Sequence, residues 1–254
     1  MKNNKLSVTV SIAILLLIMS CKHNEKKAIP VRKKAPLKEK KITPIFGYRF
    51  AIQGDFDGDG KQEKLTEHYI NRDDGKESNK YYDGVDDYYD MVDLVIKKNP
   101  ESFALSDDPK IDMLQINSGG QLFGISYLKN EGDLNGDGTD EVSYVIDYAD
   151  FSNLNSWHIV TYKNKEWEEI YKFSIWDSQL PNLPSCTNQY GLFGTENKII
   201  ETSEDKATEK KLHEWKGLVK KLKHNKIQVI YRTDEAEEDT IVVDFKHLPT
   251  KQQN

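Results

Sequence analysis

Cysteine is scarce in this chain, with two in 254 residues, at positions 21 and 186. Long apolar runs are scarce too. The chief one, Leu6 to Met19, has fourteen residues, short of the roughly 20 that a membrane-spanning helix needs. The six histidines (His23, His68, His158, His213, His224 and His247) show no H-E-x-x-H spacing, and no Gly-rich phosphate loop or G-x-S-x-G elbow occurs. Metalloprotease, nucleotide-binding and hydrolase-elbow chemistry thus find no motif. Positive charge is also lacking in the body of the chain, where residues 43–254 hold 25 Lys and Arg against 40 Asp and Glu. Duplex nucleic acid is bound by neutralising phosphates with Lys and Arg, so this balance argues against nucleic acid as a partner.

What the sequence does have is one short pattern written twice. Gly54 to Glu63 reads GDFDGDGKQE, and Gly132 to Glu141 reads GDLNGDGTDE. Counting from the first Asp, oxygen-bearing side chains stand at positions one, three, five and nine: Asp55, Asp57, Asp59 and Glu63, then Asp133, Asn135, Asp137 and Glu141. Calcium takes about six to eight oxygens at roughly 2.3–2.6 Å, so a short loop must curl until alternate side chains converge. Gly60 and Gly138 stand where that curl calls for positive φ, and Gly58 and Gly136 let backbone approach backbone. Position seven, Lys61 or Thr139, supplies only its carbonyl oxygen. Magnesium more often keeps its waters and takes one or two carboxylates, so calcium is the expected ion. Loop one offers four carboxylates, loop two three and an amide. Ligand charge therefore ranks loop one as the tighter site, an advantage that Lys61 partly offsets.

A helix-loop-helix calcium hand ends in a bidentate Glu at position twelve, but here that position is Thr66 or Tyr144. After loop two, Val142, Tyr144, Ile146 and Tyr148 alternate with Ser143, Val145 and Asp147, the period of a half-buried strand. The loops therefore open strands. The pattern resembles the calcium loops of FG-GAP or VCBS-type repeats, D-x-D-x-D-G-x-x-[DE], which join two strands of a propeller blade. That resemblance covers about ten residues in each copy. The copies start 78 residues apart, more than one blade usually needs, so the expectation is a compact β domain that borrows the propeller's calcium hairpin.

Residues 1–20 have the form of a signal peptide, with Lys2 and Lys5 ahead of the apolar stretch. Ile18-Met19-Ser20-Cys21 resembles a bacterial lipobox, which implies cleavage before Cys21 and lipidation of its thiol. Cys186 is then alone in the mature chain, and no internal disulfide is possible. Residues 21–42 read as the lipidated cysteine followed by a disordered tether, nine Lys and Arg against Glu25 and Glu39 with prolines at 30 and 36. Such a tether either hugs anionic headgroups or serves as a solvated spacer. Lys22 stands where some Gram-negative lipoproteins carry the Asp of inner-membrane retention. By resemblance to that sorting rule, the expected location is the cell envelope, at the outer membrane, facing the periplasm or the surface.

The remaining residues, 43–254, are expected to form one all-β domain of mainly antiparallel sheets with one short C-terminal helix. Strand-like runs are Arg49–Gln53, Glu63–Ile70, Met91–Ile96, Ile111–Ile116, Leu122–Leu128, Glu141–Tyr148, Trp157–Tyr162 and Trp167–Ile175, the last two joined by a hairpin at Lys163 to Glu166. Asn71 to Asp90 reads as a long acidic solvated loop, with a third, irregular cation site as an alternative. Leu212, Trp215, Val219 and Leu222 at three-and-four spacing, after the capping-like Thr202 to Asp205, predict a helix from about Ala207 to Lys223, which Gly217 weakens. Ile227 to Tyr231 and Ile241 to Phe245 predict a closing hairpin.

No catalytic residues are nominated. His158, between Trp157 and Ile159, reads as a packed histidine, and Ser185-Cys186 has no His near it in sequence. Trp157, Trp167 and Trp176 with Tyr81, Tyr82, Tyr88 and Tyr89 suggest a sugar-stacking platform, though most such aromatics serve as core. Two functions are in view. One is a membrane-anchored module with about two structural calcium ions and a protein or glycan ligand; the other is a secreted calcium-dependent hydrolase or glycan-binding protein.

Overall fold

Residues 63–70 alternate between buried and less buried positions while 123–128 and 141–146 are buried throughout, and the computed structural model pairs such stretches into antiparallel sheets. It describes residues 41–47, 49–116, 122–148, 152–177, 210–211, 214–215 and 217–248. The signal segment, Cys21, most of the tether, Cys186 and the capping-like Thr202 to Asp205 lie outside the described residues. The strands are β1 (Thr43–Ile45), β2 (Ala51–Gly54), β3 (Glu63–Asn71), β4 (Tyr81–Asp83), β5 (Pro100–Ser106), β6 (Leu114–Gln115), β7 (Leu122–Gly132), β8 (Glu141–Tyr148), β9 (Leu154–Lys163), β10 (Glu166–Trp176), β11 (Val219–Lys223), β12 (Lys226–Arg232) and β13 (Glu238–Asp244). One α-helix, α1 (Tyr88–Ile96), is inserted between β4 and β5. No described helix is long and apolar enough to cross a membrane.

The strands form three up-and-down sheets, β2-β3-β5-β6, β7-β8-β9-β10 and β11-β12-β13, with β1 and β4 as a separate pair. The β7–β10 sheet is packed on both faces, because its strands carry apolar residues at successive positions. Along β8, Val142, Tyr144 and Ile146 enter a core shared with Leu65, Tyr69, Ala104 and Leu114 of the first sheet. Val145 joins the opposite core, with Trp157, Ile159, Phe173 and Ile175 packed against Val229, Ile230 and Val243 of the third. Each fully buried Val or Ile contributes about 1.5–3 kcal/mol, so this sheet, buried twice over, is the stable frame to which the loops attach.

Three expectations are corrected in the same physical terms. Met91–Ile96 is helix rather than strand: the Asp87 carboxylate caps it by accepting from the Tyr89 N–H at 2.7 Å, and Val92 and Val95 are buried on one face. The acidic stretch before it is not wholly solvated either, since Ser78, Lys80 and Tyr82 are buried and β4 lies within it. At the C-terminal end, residues 210, 211, 214 and 215 are helical as expected, but Val219–Lys223 is β11, paired with β12. Gly217, at φ +144°, lies just before that strand. Asn225, at φ +65°, sits in the turn that sends it back antiparallel.

Candidate metal centre

Both Asp-Gly loops are the turns of β-hairpins, and they are built alike. Loop one joins β2 to β3 with Gly54 opposite Glu63, and loop two joins β7 to β8 with Gly132 opposite Glu141. At position two each loop drops an apolar side chain into a core, Phe56 at 0% and Leu134 at 1% exposure. The same residue's N–H donates to the position-nine carboxylate, Phe56 to Glu63 at 2.9 Å and Leu134 to Glu141. Positions three and five bend inward by accepting from the amide two residues on. Asp57 takes the Asp59 N–H at 3.1 Å and Asp59 the Lys61 N–H at 2.9 Å, while Asn135 takes the Asp137 N–H at 2.8 Å and Asp137 the Thr139 N–H at 3.1 Å. Gly136 shows why no side chain fits at position four of loop two: a Cβ there would meet the His224 ring at 2.6 Å.

The loops differ in what their oxygens do. In loop one, ligand atoms of Asp55, Asp57, Asp59 and Glu63 all lie within 4.8 Å of one another. Two oxygens on a single calcium are at most about 5 Å apart, so this group could hold a metal ion. Asp55 Oδ1 is buried with no hydrogen-bond partner, while Oδ2 accepts from the Gly60 N–H at 3.0 Å. Burial, aided by the charges of Asp57, Asp55 and Asp59, raises the Glu63 pKa. Lys61 Nζ reaches Asp59 Oδ2 at 2.7 Å and pulls that carboxyl below its usual range, so an arriving cation competes with this lysine.

In loop two the Asn135 amide nitrogen donates to Asp137 Oδ2 at 3.1 Å and Glu141 Oε1 at 2.8 Å. To hold a cation there, that amide must turn its oxygen inward. Burial pushes the Glu141 carboxyl up to about 7 against the bonds from Leu134, Thr161 and Asn135. The Thr139 hydroxyl bonds Asp137 Oδ1 at 2.7 Å and Thr161 Oγ1 at 3.2 Å. Among the described residues, loop one is the group of acidic side chains that converges in this way, and neither loop two nor the Asp73 to Asp90 region forms another.

Two further residues link the loops from outside the ligand positions and escape the loop pattern. Asp140, at position eight where loop one has Gln62, accepts from the Asp55 N–H at 3.1 Å and donates its own N–H to the Asp55 carbonyl at 2.7 Å. Asn130 Nδ2 donates to Asp140 Oδ2 and to the Gln53 carbonyl, both at 2.8 Å. Pairing across 85 residues leaves no local signal in the sequence.

The aromatic platform is corrected. Trp157 is fully buried with its Nε1–H on Ser143 Oγ at 2.8 Å, Tyr82 is buried, and Trp167 packs against the opposite core from Trp157. His158 is packed as expected, its ring stacked on Tyr144 at 4.7 Å and its Nδ1 2.7 Å from Glu169 Oε2, with burial lowering its pKa. It lines an open cleft of about 800 Å³ with Asp112, Gln115, Trp167 and Lys172. Among the described residues, none of the Asp73 to Asp90 stretch lines that cleft.

No family model, curated protein or solved structure matches this chain.

Proposed function

We propose that this chain is a lipid-anchored extracytoplasmic module in the cell envelope. Its β domain binds calcium in the two hairpin loops, and it acts by binding a partner rather than by catalysis. The observation that carries the calcium reading is loop one, four carboxylate residues converging within 4.8 Å with one buried Asp55 oxygen unpartnered. Lys61 offsets one of these charges, and the remaining excess of negative charge is costly to gather unless a cation offsets it. Each loop fastens the start of a strand that enters the core, which gives the ion a structural duty. Attachment to the outer membrane through Cys21 rests on the lipobox-like residues and on Lys22.

The deciding experiment is thermal unfolding of the full chain in calcium, in magnesium and in chelator, repeated with Asp59→Ala and Asp137→Ala. A site filled at a hundred times its dissociation constant stabilises by about 2.7 kcal/mol. The expected result is a rise in Tm selective for calcium that each substitution cuts in part. An unchanged Tm in calcium would sink the reading. The anchor is tested separately, since Cys21→Ser should move the protein from the membrane to the soluble fraction.

The cleft beside His158 supports a second reading, a glycan ligand seated against Trp167 and the charged rim of Lys172, Glu169 and Asp112. A glycan array probed in calcium tests it, and a blank array would remove it.

A further inference from the structure

We propose that the two loops take up their cations as a coupled pair, with Asp140 as the positioning residue that carries the coupling. This rests on the calcium reading above and adds to it a direction of communication.

The loops are not independent turns. Asp140 belongs to loop two, between Thr139 and the position-nine Glu141, and it is not one of the expected ligands. Both of its hydrogen-bonding ends are spent on loop one: Oδ2 on the Asp55 N–H at 3.1 Å, and its N–H on the Asp55 carbonyl at 2.7 Å. Asn130 closes the arrangement. Its Nδ2 bonds both Asp140 Oδ2 and the Gln53 carbonyl at 2.8 Å, and its Oδ1 accepts from the Gly132 N–H at 2.6 Å. The strand entering loop one, the strand entering loop two and the residue leaving loop two are thus one hydrogen-bonded unit. The loops also touch at Gly58, where a Cβ would stand 3.2 Å from the Thr139 methyl.

Asp55 joins this unit to the cation site. Its backbone holds Asp140, and its side chain ends in the unpartnered Oδ1 among the gathered carboxylates. An ion in loop one fixes Asp55, Asp55 fixes Asp140, and the residues flanking Asp140 are the Thr139 carbonyl and Glu141 of loop two. The second ion then has less freedom to remove, which is positive coupling without a large change of shape. By linkage the effect is reciprocal. Charge works the other way, because a filled loop one attracts the second cation less. Salt weakens that contribution, since the screening length is about 8 Å at an ionic strength of about 0.15 M, but Glu63 and Glu141 are buried and part of it remains. The hydrogen-bonded route does not fade.

The test is calorimetric titration of the full chain with calcium chloride at that ionic strength. Asp59→Ala leaves loop two alone able to bind and spares the Asp55–Asp140 bonds; Asp137→Ala leaves loop one alone. Loop one fills first, with loop two empty, so Asp137→Ala should bind one calcium about as tightly as the first step of the unaltered chain, whereas coupling predicts that Asp59→Ala binds its one calcium at least about fivefold more weakly than the second step, the lower end of usual coupling. Adding Asp140→Ala should bring that ratio towards one while two calcium ions still bind. Should Asp140→Ala fail to fold, the comparison of the unaltered chain with Asp59→Ala decides alone. Two calcium ions bound with a ratio of one or less would overturn the coupling and leave the calcium reading intact. No calcium bound by the unaltered chain would overturn both.

Discussion

Lys80 Nζ lies 2.5 Å from Glu67 Oε1, and the two side chains are 3% and 0% exposed. Glu67 comes from β3 and points inward with Leu65 and Tyr69. The same carboxylate accepts the Ile125 N–H at 3.0 Å and the Phe50 N–H at 3.1 Å, which pins the β7–β10 sheet to the first sheet. Gly124 leaves the room, since a Cβ there would meet Lys80 Cε at 2.7 Å and Glu67 Oε1 at 2.8 Å. Burial lowers the Lys80 pKa against the pull of Glu67.

Removing one member of such a pair strands the other. Lys80→Met should cost about 3–5 kcal/mol in urea unfolding. Adding Glu67→Leu should not restore the loss, because two buried N–H groups then lack an acceptor. A cost below about 1 kcal/mol for Lys80→Met would mean that the pair does not hold the sheets.

Loop one should bind calcium more tightly than loop two. It has one more carboxylate, and its oxygens already converge, whereas Asn135 must first turn its amide. Calorimetry on Asp55→Ala should therefore show loss of the tighter step, and retention of that step would reverse the ranking.

Loop two should be sensitive to pH near neutrality. The Glu141 carboxyl stands at about 7 in the folded chain against 4.5 for the free group. Through that window the metal-free protein holds more protons than its unfolded chain, so this group's contribution to stability falls as pH rises from 4.5 to 7. Calcium needs the carboxylate and must expel the proton. Loop-two affinity should then drop up to about tenfold per pH unit below 7, with binding heats that depend on the buffer's ionisation enthalpy. Heats that match in two buffers at pH 6 would refute this.

Two glycines of loop one should fail for different reasons. A Cβ at Gly54 would press on Asn130, on Phe56 at 2.7 Å and on Asp140 at 2.8 Å, so Gly54→Ala should cost about 1–3 kcal/mol through crowding. Gly60 has open space but a φ of +84°, so Gly60→Ala should cost about 1–2 kcal/mol through backbone strain alone. The separation is visible in calorimetry. Gly54→Ala disturbs Asp140 and should weaken both calcium steps, and Gly60→Ala should weaken mainly that of loop one.

The strands themselves were legible in sequence, as β8 and the β9–β10 hairpin illustrate, although β8 is buried on both faces where its alternation predicted one. So was the gathering of loop one's carboxylates, because Asp-Gly spacing dictates it locally; loop two, read from the same spacing, presents its Asn135 amide nitrogen inward and does not gather its acids in the same way. Misreadings fell where local chemistry is ambiguous. Met91 to Ile96 is a short apolar run that suits either a strand or a buried helix turn, and Asp87, which caps the helix, stood among acids read as solvated. Leu212 to Leu222 has helical spacing, yet Val219 and Leu222 belong to a strand. Trp157 reads as core first and as ligand platform second, and its neighbours across the sheet place it in the core. Lys80–Glu67 and Asp55–Asp140 were invisible for a plainer reason: each joins stretches brought together only by the fold.

Gly54 opposite Glu63 and Gly132 opposite Glu141 place two eight-residue segments between equivalent pairs of strand ends. The segments therefore match in length and register but not in what they hold. Writing loop one's residues into the second hairpin would put a glutamine where Asp140 bonds Asp55 and a phenylalanine where Leu134 is buried, so the exchange tests those two contacts along with the ion-facing oxygens. The molecule carries its own paired comparison, one hairpin beside a near copy, anchored in the same body and read under the same solvent.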